Sequence, residues 1–256
     1  MVFSQTVHAR GRANSVRVRC RTVRTKATAT YKAARLLFED EQFCRNENKR
    51  VGAALELVGN LPRTAGDIKL ILTKRRHRLS HEVQYSVLNM LDSVAMKPAD
   101  IRRLLPAIEQ LLHSVDSRVA GVWMKLGCSL GGGWYQDADR TTRKYLIHVL
   151  IHAVRNCKSV HARAAALHGF EHALNTASLT TGKVLLDVMR DVVESDRSLS
   201  LRRSAYSILE SGWWWGNRGL AELHRYARSI GKKLEYPETI RRGKPGAGRV
   251  RLRRSE

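Results

Sequence analysis

The amino-acid sequence predicts an all-α protein, an α-solenoid of about five stacked helical hairpins with flexible basic termini. Three observations lead there. Apolar residues recur at three- and four-residue spacing from about Thr30 onward, the period of a helix with one buried face. No stretch of the body keeps up the two-residue alternation of a strand, and one helix pattern returns five times along the chain.

The elements follow in order. Breaks at 59–62, 96–98, 131–133, 175–181 and 212–219 separate helical segments of about 12 to 18 residues. The opening helix of each hairpin is expected near 31–44, 66–76, 99–113, 140–156 and 182–194. Thr64 with Asp67 resembles a capping box, with Asp in place of Glu or Gln. Pro98 suits a first helical turn, where a missing N–H costs little, and Asp100 places a carboxylate at the positive helix end. Gly131-Gly132-Gly133 reads as a flexible loop between hairpins, because the Gly-Lys-Ser/Thr ending of a phosphate-cradling loop is missing.

The second helix of each hairpin carries the recurring pattern. Arg50-Val51 leads to Ala54-Leu55 and Val58, Glu82-Val83 to Ser86-Val87 and Met90, and Arg118-Val119 to Val122-Trp123 and Leu126. Ala162-Arg163 then leads to Ala166-Leu167 and Phe170, and Leu201-Arg202 to Ala205-Tyr206 and Leu209. The steps between units are 32, 36, 44 and 39 residues, close to one helical hairpin each. These segments resemble HEAT-like repeats, most clearly in Val115-Asp116-Ser117-Arg118-Val119-Ala120 and Ser200-Leu201-Arg202-Arg203-Ser204-Ala205. The resemblance spans roughly residues 31–211 with degenerate repeats, and it implies an extended groove along the stack. A compact helical bundle is the alternative.

Charge divides the chain differently. The formal net charge is +23, yet residues 1–38 carry nine Lys/Arg and no acid, and 241–256 carry seven Lys/Arg and one acid. Fifteen of the twenty-three excess charges therefore sit on the ends. We expect a basic, disordered arm over 1–30, a repeat domain over 31–230 and a basic Gly/Arg-containing tail over 231–256. The arm's Arg, Ser and Thr without acids would also suit a mitochondrial transit peptide; otherwise the expected compartment is the cytoplasm. The four cysteines lie far apart, which argues against a disulfide framework or a zinc knuckle and for a reducing compartment. Charges or histidines interrupt every apolar run, so no membrane association is expected.

Few features carry chemistry. Trp213, Trp214 and Trp215 are successive, and residues about 100° apart on a helix cannot all face one core, so a nucleobase-stacking or partner-anchoring surface is weighed against a cover for the last repeat. His148 with His152, and His168 with His172, are i, i+4 pairs that can share a metal; without H-E-x-x-H or a third ligand they read as solvated or packed histidines. His81-Glu82 is similar to one motif of HEAT-like deoxyhypusine hydroxylases, which need several. Trp134 and Tyr135 near Asp137 and Asp139 are loosely similar in ingredients to HEAT-like alkylpurine DNA glycosylases. No nucleophile motif appears, and no cofactor, metal or small-molecule ligand is implied.

The sequence thus predicts a non-catalytic scaffold engaging nucleic acid or a ribonucleoprotein, with a protein–protein adaptor for an acidic or apolar partner as the alternative and a HEAT-like DNA glycosylase or metal enzyme as a minor one. The candidate contact residues are Arg75, Arg76, Arg202, Arg203, Trp213, Trp214, Trp215, Arg218, Arg241, Arg242, Arg253 and Arg254. The run 74–78 is expected at a turn within one hairpin, on an edge of the stack.

Overall fold

A computed structural model describes residues 27–114, 116, 119–211 and 221–237, and the described residues contain helices and no strand. The chain is all-α, with two rows of helices. One row holds α1 (Ala27–Glu39), α4 (Ala65–Thr73), α6 (Pro98–Leu112), α9 (Arg140–Asn156), α11 (Leu179–Ser195) and α13 (Ala221–Gly231). The other holds α3 (Glu47–Gly59), α5 (Ser80–Asp92), α7 (Ala120–Gly131), α10 (Val160–Leu174) and α12 (Leu199–Ser211), while α2 (Glu41–Arg45) and α8 (Gly133–Asp137) are short connectors. The five helices with the recurring pattern are those of the second row, and they touch in chain order from α3 through α5, α7 and α10 to α12. One apolar core runs between the rows from Ala33 to Ile230.

Helix ends explain why these segments stop where they do. An α-helix leaves its last carbonyls unpaired, and here buried side chains from elsewhere in the chain donate to them. The Cys44 thiol reaches the Leu37 carbonyl at the end of α1, Thr64 Oγ1 that of Leu57 in α3, and Gln84 Nε2 those of Ile71 and Leu72 in α4. Trp134 Nε1 donates to Leu91 in α5, Trp123 Nε1 and the Cys157 thiol to Leu111 and Leu112 in α6, and Arg202 Nε to Val193 in α11. Helix starts are capped in the ordinary way by Asp40, Asn46, Asp139, Ser159 and Ser178.

Three sequence expectations need correction. Thr64 does not form a capping box: its hydroxyl is drawn to Leu57 in the core and makes no cap to α4. The helix expected over 31–44 is broken at Asp40, whose carboxylate accepts from the Phe43 N–H and starts α2 afresh. The 131–133 stretch is no flexible loop, because Gly131 ends α7, Gly133 begins α8, and both Trp134 and Tyr135 are buried. Pro98 and Asp100 do occupy the first turn of α6, with Asp100 also paired to Arg103 at 2.9 Å.

Basic side chains tie successive hairpins together. Arg50, 11% exposed, donates to the Cys44 carbonyl at 2.6 Å and Ser86 Oγ at 3.0 Å, and pairs with Glu82 on α5. Lys125 on α7 reaches back to Asp92 at 2.5 Å, Arg163 on α10 pairs with Asp196, and Arg102 on α6 pairs with Asp139 at 2.7 Å. These partners lie about one helical hairpin apart in sequence, so each pair also ties neighbouring hairpins together.

Between α7 and α10 the spacing is set by glycine. A Cβ on Gly127 would run into the Ala165 carbonyl, and one on Gly131 into the Gly169 carbonyl. From the other side, a Cβ on Gly169 would lie 2.8 Å from both the Gly127 carbonyl oxygen and Leu150. The obstacles are mostly backbone, which cannot turn aside. Gly131→Ala and Gly127→Ala should therefore each lower the unfolding free energy by about 1–3 kcal/mol or more in urea titrations. Gly52→Ala, on α3 with nothing within 4 Å of the new methyl, should raise it by about 0.5–1 kcal/mol. Equal effects at all three positions would contradict the close approach of α7 and α10.

Candidate functional site

The arginines singled out in the sequence are mostly at work inside the fold. Arg75 lies in the turn between α4 and α5, as expected, and pairs with Asp116 of the next hairpin. Arg76 stacks over the Phe38 ring with its guanidinium 4.9 Å from the centroid. Together with Lys74 and Leu70 they line a groove of about 390 Å³. Arg202 holds the end of α11, and Arg203 donates to the Pro237 carbonyl while covering Tyr236. Trp213, Trp214, Trp215, Arg218, Arg241, Arg242, Arg253 and Arg254 lie outside the described residues.

A different surface gathers cations without spending them on ion pairs. A groove of about 900 Å³ opens between the N-terminal ends of α9 and α11. Arg140, Arg143 and Lys144 come from α9, and Thr176, Ser178, Thr180 and Thr181 surround the start of α11; Tyr135, Ile147 and Val184 supply the apolar floor. No carboxylate is among its lining residues. Each helix start carries about half a positive charge from aligned peptide dipoles, although at α9 the Asp139 carboxylate that caps the helix offsets it. Arg140 and Lys144 are exposed, whereas Arg143 is anchored by donating to the Gln136 carbonyl at 2.8 Å and covering the Tyr135 ring.

The carboxylates near this groove are structural. Asp137 accepts from the Met96 N–H at 2.8 Å, and Asp139 caps α9 by accepting from the Thr142 N–H at 2.7 Å. Trp134 is fully buried and Tyr135 3% exposed, so the aromatic-and-acid ingredients that resembled a DNA glycosylase form no solvent-facing pair. Glu82 of the His81-Glu82 motif is likewise committed to Arg50.

A second cluster was only half visible in the sequence. His168 and His172 face each other on α10 with 3.2 Å between their Nε2 atoms, and Glu171 accepts from His168 Nδ1 at 3.0 Å. The missing third group is Cys128 of α7, whose sulfur lies within 4.8 Å of both histidines' ligand atoms. The signal was the recurring helix pattern: Cys128 and His172 each stand nine residues beyond its second residue, Val119 and Arg163. Burial, and then the neighbouring His168, push the His172 pKa below the ordinary histidine value, which favours its neutral ring. Burial pushes the Cys128 thiol up, with Lys125 working against it. Cys44 and Cys157 are raised by burial to about 11 and serve as thiol donors to helix ends.

Compared with known proteins, the chain matches no family model, and no curated protein or solved structure is detectably similar to it. No helix among the described residues is long and apolar enough to cross a membrane.

The Thr142 N–H first, and then the Arg102 guanidinium, hold the Asp139 carboxyl at about 2, below its ordinary 3.8. A carboxylate depressed by folding stabilises above its unfolded pKa and loses that contribution as pH falls through the folded value. The α9 cap should therefore be complete at neutral pH and fade only between about pH 4 and pH 2. Carbon-detected NMR titration should place the Asp139 midpoint near 2; a midpoint at 3.8 would mean that the cap does not form in solution.

Proposed function

We propose that this protein is a non-catalytic scaffold of HEAT-like helical hairpins that binds nucleic acid through the groove between α9 and α11. The observation that carries the reading is the groove's chemistry: two uncommitted cations, Arg140 and Lys144, stand beside the anchored Arg143 and the hydroxyl groups at two helix starts, with no carboxylate among the lining residues. Phosphate oxygens are the complement of that set, because they accept from guanidinium, ammonium, hydroxyl and backbone N–H alike. The ordered rows of helices, with the recurring pattern confined to one row, support the repeat reading. Basic sequence at both ends of the chain adds cations that would follow a backbone without reading bases.

The groove replaces the earlier candidates as the proposed contact surface. Arg75, Arg76, Arg202 and Arg203 each already serve a carboxylate, a carbonyl or a ring, and recruiting them to phosphate would compete with those contacts. Arg140 and Lys144 carry no such duty.

Binding to mixed-sequence RNA and duplex DNA should fall linearly on a plot of log affinity against log salt. Arg140→Glu with Lys144→Glu should weaken it at least about tenfold at low salt and reduce the slope by about 1.4 for single strands. Both side chains are exposed, so the circular dichroism spectrum should not change. No retention of either nucleic acid at low salt would sink the proposal. Intact binding by the double variant would move the contact away from this groove, and capture of a protein that survives nuclease and high salt would favour an adaptor instead.

A further inference from the structure

We propose that Cys128, His168 and His172 form a metal site for a borderline divalent cation, zinc(II), with three protein ligands and one open position. The case starts from distance. Tetrahedral zinc holds imidazole nitrogens at about 2.0–2.1 Å, which sets two of them about 3.3 Å apart. His168 Nε2 and His172 Nε2 are 3.2 Å apart. The sulfur lies within 4.8 Å of one ring nitrogen of each histidine and needs to close by about 1 Å to reach a zinc–sulfur bond of about 2.3 Å.

The surroundings orient the ligands. With Glu171 ionised, His168 carries its hydrogen on Nδ1, where the carboxylate accepts it at 3.0 Å, and its Nε2 lone pair is left facing His172. A carboxylate behind a histidine is the usual means of fixing a ligand's tautomer and raising its basicity. Metal binding then needs the Cys128 thiol proton released to solvent and the His172 hydrogen carried on Nδ1, so that both Nε2 lone pairs and the thiolate point at one ion. A thiolate with two imidazoles selects zinc or cobalt over magnesium and calcium, which prefer oxygen. The three side chains are half-buried, leaving an approach for the ion and for a fourth, exchangeable ligand.

The chain contains its own controls. Cys44 lies 3.7 Å from His77 Nε2 and Cys157 3.7 Å from His113 Nδ1, yet each sulfur also donates to a helix-end carbonyl. Neither pair joins a group of three ligand atoms among the described residues. The site also joins α7 to α10, so the ion would cross-link the two helices at their closest approach.

Full-length protein without a polyhistidine tag, stripped of metal, is titrated with cobalt(II). One equivalent should produce a near-ultraviolet thiolate-to-cobalt band and the visible bands of tetrahedral cobalt, both abolished by zinc. Cys128→Ser should remove the thiolate band and weaken zinc binding at least about 100-fold, and Glu171→Gln should weaken it about 10–100-fold. Cys44→Ser and Cys157→Ser should keep the band. Zinc should raise the melting temperature of the parent protein and not that of Cys128→Ser, whose metal-free spectrum should match the parent's. Should Cys128→Ser not fold, His172→Gln is read on the same tetrahedral bands, and their survival refutes the site. An octahedral cobalt spectrum in the parent, or a thiolate band that persists without Cys128, overturns the proposal.

Discussion

The approach of α7 and α10 backbone to backbone is the constraint on which the middle of this protein depends. Gly127 and Gly131 on one helix and Gly169 on the other remove the side chains that would hold the axes apart. At this contact α7 ends at Gly131, and the chain turns through Gly132 and Gly133 into α8. That turn places Trp134 in the core, where its indole N–H satisfies the end of α5, and sets Tyr135 under Arg143 in the floor of the groove. The same contact brings Cys128 alongside His168 and His172. The Cys128, His168 and His172 cluster thus sits beside an approach made by three residues that have no side chains at all.

Charge has a similar double character. A basic chain would repel itself if its cations stood alone. In the body many are instead matched to acids or carbonyls about one hairpin away, as Arg50, Lys125, Arg163 and Arg102 are. Exposed pairs of this kind contribute little energy, but Arg50 and the Arg163–Asp196 pair are largely shielded from water, where losing one partner leaves an uncompensated charge. Cations become informative about binding only after such commitments are subtracted. By that criterion Arg140 and Lys144 stand out, and the more conspicuous Arg75, Arg76, Arg202 and Arg203 do not.

Helix class and most boundaries were legible because they rest on local rules. The span of α9 coincides with the expected 140–156, and Pro98 opens α6 as its chemistry requires. The failures share a cause: a side chain with a good local role was claimed by a distant partner. Thr64 could cap α4 but is taken by the Leu57 carbonyl, and the glycines at 131–133 read as slack although Gly131 makes a close approach to Gly169 on another hairpin. The histidine pair was visible on α10, whereas Cys128, forty residues before His168, needed the hairpin register to be laid beside it. The groove was invisible for the same reason, since Arg140 and Thr180 meet only across two helix starts.

Those two sites are not independent of each other mechanically. His172 lies in the last turn of α10, and the chain leaving it passes through Thr176 to Ser178, which caps α11 and lines the groove. An ion held by Cys128, His168 and His172 would tether that turn to α7 and so fix one wall of the groove at its root. The opposite wall is fixed separately, by Asp139 capping α9 while held by Arg102 from α6. A groove between two helix starts keeps its shape only if both starts are anchored, and here the Asp139–Arg102 anchor reaches across to a neighbouring hairpin, as the proposed ion would. The shape of the groove is therefore a property of contacts between hairpins rather than of any one helix.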